Sequence, residues 1–199
     1  HDTYIETHLG GGAIMQRKPA ARHNIGIDRD ARALERFACD YPVEKIHGCA
    51  HQFLATYPFT GRELVYSDPP YLTATRTSSR RYRYDYTARD HVELLALLTG
   101  LPCPVILSGY PSAVYDEHLG AWQTLELQVM NQAGVRTEKL WFNFTPQRLF
   151  WARGAGKNFT DRQRIKRKAD NWARRYQAMP PAERLAVLAA VMAVEATDG

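Results

Sequence analysis

The chain has 199 residues, 45% of them apolar and 24% charged, which excludes a wholly disordered chain, a collagen-like repeat and a membrane bundle. Three cysteines without a CxxC pair argue against a disulfide framework and for a reducing, cytoplasmic setting, and the longest apolar run, Leu185 to Val194, is too short to span a bilayer. The net charge of +5 is uneven: residues 153–178 hold nine Lys/Arg against two Asp, a net +7, leaving −2 for the rest, a pattern that suits a polyanionic partner and nucleic acid first.

The body alternates strand-like and helix-like segments. Thr3–Thr7 is short and β-prone and runs into His8-Leu9-Gly10-Gly11-Gly12. Ala13–Lys18 reads as a helical turn and Asn24–Asp28 as a second strand. Asp30–Tyr41 places Ala33, Leu34, Phe37 and Ala38 at helical spacing. Glu44–Cys49 and Glu63–Ser67 read as the third and fourth strands, the fourth ending in Asp68-Pro69-Pro70-Tyr71. Residues 72–88 read as an irregular loop. Arg89–Leu101 is a predicted helix with Val92, Leu95, Ala96 and Leu98 on its apolar stripe, and His91 and His118 read as surface or capping residues of helices. Pro104–Ser108 is a continuous apolar strand, as the middle of a sheet requires. Ser112–Leu119 is a short predicted helix. Trp122–Asn131 and Val135–Phe144 are too close for a crossover helix and predict an antiparallel hairpin. Together these segments predict a doubly wound α/β sheet, mostly parallel, whose last strand is antiparallel.

After Pro146 the composition changes. Thr160 is the expected cap of a helix over 161–178, with Ile165, Ala169, Trp172, Ala173 and Tyr176 on one face and the basic residues mostly off it. Pro180-Pro181 breaks that helix, and Ala182–Ala196 predicts another. The expected organisation is a body over 1–146 and a basic helical hairpin over 147–199, docked on the body by its apolar faces.

In an open parallel sheet, ligands sit beyond the carboxyl ends of the strands. Three segments with chemistry fall there. Gly10-Gly11-Gly12 lets the backbone turn tightly and approach a ligand. Asp28 ends the second strand, where an acidic residue commonly bonds the ribose of an adenosine-type cofactor. Asp68-Pro69-Pro70-Tyr71 ends the fourth, and its two prolines fix a rigid turn that holds a carboxylate, a carbonyl and an aromatic ring in one place.

The ordered set YIETHLGGGA, NIGID and LVYSDPPY resembles the Dam-like family of S-adenosylmethionine-dependent DNA adenine-N6 methyltransferases, and within it the small phage and prophage members. Thr75–Tyr86, SGYPSAVYDE and TEKLWFNF are similar to that subgroup too, so the likeness spans nearly all of 3–146. The resemblance implies a seven-stranded, Rossmann-like class I methyltransferase fold, S-adenosyl-L-methionine as cofactor, DNA as partner and no metal. It also implies the roles of the residues. Glu6, Leu9, Gly10, Gly11 and Gly12 would cradle the methionine part of the cofactor and Asp28 its ribose. Cys49 would stand near its adenine, and Asp68 would touch both cofactor and target. Asp68, Pro69, Pro70 and Tyr71 would form the catalytic adenine site, reached by a base flipped out of the duplex.

The sequence departs from that family in three places. It begins at His1 without the upstream glycine-lysine loop, which reads as a truncation. Cys49 stands where an acidic residue is common. Only Ala50–Arg62 lies where larger members insert a target-recognition domain. Two segments could contact nucleic acid instead. Arg76, Arg80, Arg81, Arg83 and Arg89 interleave with Tyr82, Tyr84 and Tyr86 just after the catalytic turn, a mix that holds phosphates and stacks on bases. Arg164, Arg167 and Lys168 lie on the basic helix. His47, Cys49 and His51 lack a fourth ligand for zinc. Two rival functions remain at this point: an RNA adenine methyltransferase, and a catalytically silent nucleic-acid binder on the same fold. Nothing in the sequence demands more than a monomer.

Overall fold

In the computed structural model, residues 1–72, 83–131, 134–146 and 158–197 are described. The chain divides into two compact units, His1–Thr145 and Pro146–Gly199. The first unit is built on strands β1 (Thr3–Glu6), β2 (His23–Asp28), β3 (Glu44–His47), β4 (Glu63–Ser67), β5 (Val105–Gly109), β6 (Gln123–Asn131) and β7 (Gly134–Phe142). Helices α1 (Ala31–Arg36), α2 (Ala50–Thr56), α3 (Ala88–Thr99) and α4 (Ala113–His118) connect them. The sheet order is β3-β2-β1-β4-β5-β7-β6. Strands β1 to β5 pair in parallel, and β7 runs antiparallel to both β5 and β6. This is the expected doubly wound, Rossmann-like, mostly parallel arrangement with an antiparallel terminal hairpin.

Both faces of the central parallel strands are covered, which is why Pro104–Ser108 reads as a continuous apolar run. On one face Ile5, Ile25, Ile27, Val65, Val105 and Leu107 pack with Leu54 of α2, Leu94, Leu95 and Leu98 of α3, and Tyr115 of α4. On the other, Tyr4 and Tyr66 pack with Leu9, Met15, Leu34 and Phe37. Register places Ile5 between Ile25 and Val65 at the centre. Trp141 closes the far end of the first cluster and is fully buried.

In the first unit, four expectations need correction. The helix expected over Asp30–Tyr41 stops at Arg36, because Phe37 turns extended and Lys45 Nζ caps the Leu34 and Phe37 carbonyls at 2.9 and 2.8 Å. Helix α2 lies where no helix was expected; it is short, Cys49 makes no side-chain cap, and burial of Ala50 and Leu54 holds it. Helix α3 is set by a capping box, Thr87 with Asp90, and its buried stripe is His91, Leu94, Leu95 and Leu98. Val92 and Ala96 face outward, and His91 is a core residue rather than a surface one, because its Nδ1 meets the buried Tyr115 hydroxyl at 2.8 Å.

The second unit holds α5 (Phe159–Ala178) and α6 (Pro181–Thr197). The cap of α5 is Asn158 rather than Thr160: its side chain accepts from the Asp161 N–H at 2.9 Å. Arg164 pairs with Asp161, and Lys166 with Asp170, at 2.8 and 2.7 Å. Helix α5 buries none of its residues, its expected apolar face included. Pro181 opens α6, where a missing N–H costs nothing.

Candidate active site

The carboxyl ends of β1, β2, β3 and β4 open on one cavity of about 360 Å³. Its wall includes Glu6, Leu9, Gly10, Gly11 and Gly12 from the first turn, Asp28 from β2, and Asp68, Pro69, Pro70 and Tyr71 from β4. Arg83 and Tyr84 reach it from the segment before α3.

The glycine turn is fixed by geometry that other residues resist. Gly10 and Gly12 have φ of 49° and 63°, the left-handed region. At Gly12 a Cβ would also meet the Phe37 ring at 2.2 Å. Gly10 and Gly11 face open space, with nothing within 4 Å of a built Cβ. Asp28 locks this turn to β2. Its Oδ2 accepts the Gly10 N–H at 2.7 Å, and its Oδ1 accepts the Asp30 N–H at 2.8 Å. Each oxygen keeps a second lone pair for a hydroxyl donor.

Two carboxyl groups share the cavity. Burial pushes Asp68 up to about 7, with the charge of Glu138 adding to the effect. Burial also raises Glu6 to about 7; the Tyr4 hydroxyl and the Met15 N–H pull it down, and the Asp68 charge pushes it up. The Tyr71 ring lies beside Tyr110, just past β5, with centroids 4.3 Å apart.

Of the other sequence-derived candidates, Cys49 stands beside the cavity but outside its wall, which Gly48 and Ala50 form. The Cys49 thiol lies 3.8 Å from His51 Nδ1. His47 Nε2 and His51 Nε2 meet the Arg29 and Asp90 carbonyls at 3.1 and 2.9 Å, and among the described residues no three His, Cys, Asp or Glu side chains cluster as a metal site would need. Arg83 pairs with Asp30 at 3.5 Å, and the Arg29 guanidinium lies 5.6 Å over the Tyr84 ring. Arg76, Arg80, Arg81 and Tyr82 lie outside the described residues. Arg164, Arg167 and Lys168 are exposed on α5 in the second unit.

Ile14, Arg29 and Asp30, which motif reading passed over, also line the cavity, with Thr7 and His8 of the YIETHLGGGA segment. Tyr86, expected to stack beside a flipped base, lines it too but is buried among its neighbours. Lys18 lies 4.3 Å over the Tyr4 ring and bonds Asn24 at 3.1 Å; burial lowers its pKa to about 8. Their common signal was adjacency to a motif already recognised.

No known family profile matches the chain, and no curated protein matches it. Among solved structures, an rRNA methylase from Streptococcus thermophilus aligns at 14% identity over 71% of this chain and 86% of that one, with a TM-score of 0.49. TrmK from M. capricolum, in complex with S-adenosyl-homocysteine, aligns at 9% identity over 98% and 90%, with a TM-score of 0.46. A DNMT2 variant from Spodoptera frugiperda aligns at 11% identity over 71% and 50%, with a TM-score of 0.49. No helix among the described residues is long and apolar enough to cross a membrane.

Proposed function

We propose that this chain transfers a methyl group from S-adenosyl-L-methionine to the N6 amine of adenine in DNA. One observation carries the reading: the Asp68-Pro69-Pro70-Tyr71 turn, the glycine turn and Asp28 line a single cavity. The cavity suits the cofactor. Its volume lies within the usual range for small-molecule sites, about 300–1,000 Å³. The backbone at Gly10 and Gly11 is open to a ligand, and Asp28 presents spare acceptor capacity to ribose hydroxyls. Glu6 faces the same space as an acceptor for an ammonium group.

The cofactor supplies an electrophilic methyl on a sulfonium. The chain's own residues prepare the amine. The lone pair of adenine N6 is delocalised into the ring. The Asp68 carboxylate and the Pro69 carbonyl each accept one of its N–H bonds, which localises that pair toward the methyl. Tyr71 stacks on the base and fixes its plane, and holding both partners in line supplies much of the remaining acceleration. The target leaves the duplex stack to reach this turn. Arg83 and Tyr84 stand at the mouth, and the basic face of α5 contacts phosphates without reading sequence.

The test is nucleoside mass spectrometry after incubation with S-adenosyl-L-methionine and unmethylated duplex DNA, with structured RNA in a parallel tube. N6-methyladenine in the DNA tube, lost in Asp68→Ala, is the expected result. Methylation in the RNA tube alone would replace DNA by RNA as the substrate. No methylated base in either, with salt-sensitive DNA binding intact, would make this a silent binder.

A further inference from the structure

Tyr86 stands just before α3, buried to 5% exposure in a cage of three histidines. Ring centroids lie 5.4 Å from His8, 5.2 Å from His51 and 5.4 Å from His91. Its hydroxyl lies 2.9 Å from His8 Nε2 and 3.3 Å from His51 Nδ1. His51 Nε2 meets the Asp90 carbonyl oxygen at 2.9 Å. At the other end, His8 Nδ1 lies 2.9 Å from Thr7 Oγ1 and 3.5 Å from Ser67 Oγ, and those two hydroxyls are 3.1 Å apart.

The carbonyl at one end, with one proton on His51, sets the direction of the others. A carbonyl only accepts, so His51 Nε2 carries hydrogen. A His51 that carries that proton alone offers Nδ1 as an acceptor, and the Tyr86 O–H donates to it. The Tyr86 oxygen is left to accept, and His8 Nε2–H donates. His8 Nδ1 is therefore an acceptor and takes a hydroxyl proton from the Thr7–Ser67 pair. Burial keeps His8 neutral, with its pKa pushed down to about 3, which agrees with a ring that must both donate and accept.

The bonds thread five places in the fold: the first turn of α3, the start of α2, the segment carrying Arg83 and Tyr84, the turn after β1, and the end of β4. Ser67 immediately precedes Asp68, and Thr7-His8 opens the glycine turn. We propose that Tyr86 is a positioning residue: through His8 its hydroxyl fixes the spacing between the cofactor turn and the Ser67-Asp68 end of β4, and so the approach of methyl donor to target amine. The proposal rests on the methyltransferase reading for its consequence, though not for the bond order itself.

The experiment uses the full chain labelled with ¹⁵N-histidine, wild type and Tyr86→Phe, at pH 7. Long-range ¹⁵N–¹H correlation should show His8 and His51 both as Nε2–H tautomers in the wild type. In Tyr86→Phe the fixed tautomer at His8 should be lost. In that variant kcat should fall about tenfold to a hundredfold, while the dissociation constant for S-adenosylhomocysteine changes less than about threefold. A purely structural tyrosine would move affinity and melting temperature and leave kcat at saturation alone. Wild-type His8 found protonated or as Nδ1–H overturns the proposal, and so does a Tyr86→Phe chain with wild-type kcat. The wild-type spectrum decides the bond order even if the variant fails to fold. A wild type without any transferase activity overturns the methyltransferase reading instead, and the tautomers still judge the brace.

Discussion

On the proposed chemistry the Asp68 carboxyl draws charge from the amine best when it is ionised, and burial works against that. Its folded pKa of about 7 stands above its ordinary 3.8. Between those values the folded chain holds a proton that the unfolded chain has lost. Stability therefore falls as pH rises through that window, and the full penalty is present above about 7. Asp68→Asn should accordingly melt several degrees higher than wild type at pH 8, with the gain fading toward pH 4, while methyl transfer drops by about 10²–10³-fold. Calorimetry across that pH range and a rate assay check both halves. Glu6 is raised in the same way. A bound sulfonium and ammonium favour both carboxylates, so S-adenosyl-L-methionine binding near pH 6.5–7 should release protons. Titration calorimetry in two buffers of different ionisation enthalpy reads the number released, and buffer-independent heats would contradict the site. At this scale the sequence is most readable where a residue type does one thing. Gly12 needs its positive φ, Asp28 ends a strand, and Pro69-Pro70 cannot be anything but a turn. It is least readable where a role depends on a distant partner. His91 reads as surface until Tyr115 is placed beside it, and the Tyr86–His8 bond joins positions 78 apart in sequence. Cys49 followed the motif's register, but the helix start at Ala50 turns its thiol toward His51.

Elements follow the same rule. Strands β1 to β5 were legible as β-prone or alternating segments, β5 alone as a continuous apolar run, and the β6–β7 hairpin was legible from its short connection. Helix α2 was not, because its seven residues have little propensity to show and it exists by packing, whereas the six-residue α4 was legible within Ser112–Leu119. Helix α1 ends where Phe37 leaves to fill the space beneath the glycine turn, so element and site share one side chain. That sharing predicts a sharp contrast. Gly12→Ala meets both a left-handed φ and the Phe37 ring, and should cost about 1–3 kcal/mol of stability together with cofactor binding. Gly11→Ala meets nothing within 4 Å, and should fold with stability within about 0.5–1 kcal/mol of wild type. Denaturant titration of the pair tests this. Strand β7 is held differently. Trp141 donates to Asp116 Oδ1 at 3.3 Å, and Lys139 pairs with the same oxygen at 2.7 Å, so α4 and β7 share one carboxylate. Trp141→Ala should cost about 3–5 kcal/mol, most of it lost packing.

The whole molecule separates its charge from its chemistry. The near-neutral first unit holds the cavity, and most of the excess positive charge lies in residues 153–178. A chain ending at Thr145 should therefore keep S-adenosylhomocysteine binding and lose DNA affinity, and its logarithmic salt dependence should flatten by several units of slope. Unchanged salt dependence would move the phosphate contacts to the first unit. The two-part organisation was visible as a shift in composition, because charge density needs no fold to be counted. The packing faces of α5 were not, since a stripe of apolar residues says that a face exists and not what covers it. Within the first unit, the parallel strands impose one more division. Their carboxyl ends gather every turn of the cavity on one rim. Their amino ends meet on the other, where Asp2 donates to the Arg62 carbonyl at 2.8 Å and Val65 to that of Pro104 at 2.9 Å. Extra loop sequence inserted near Leu101–Pro102 would thus grow away from the cavity and leave its wall untouched. The protein has one rim on which it is free to drift and acquire new attachments, and one on which, at Gly12, a single added carbon meets a packed ring.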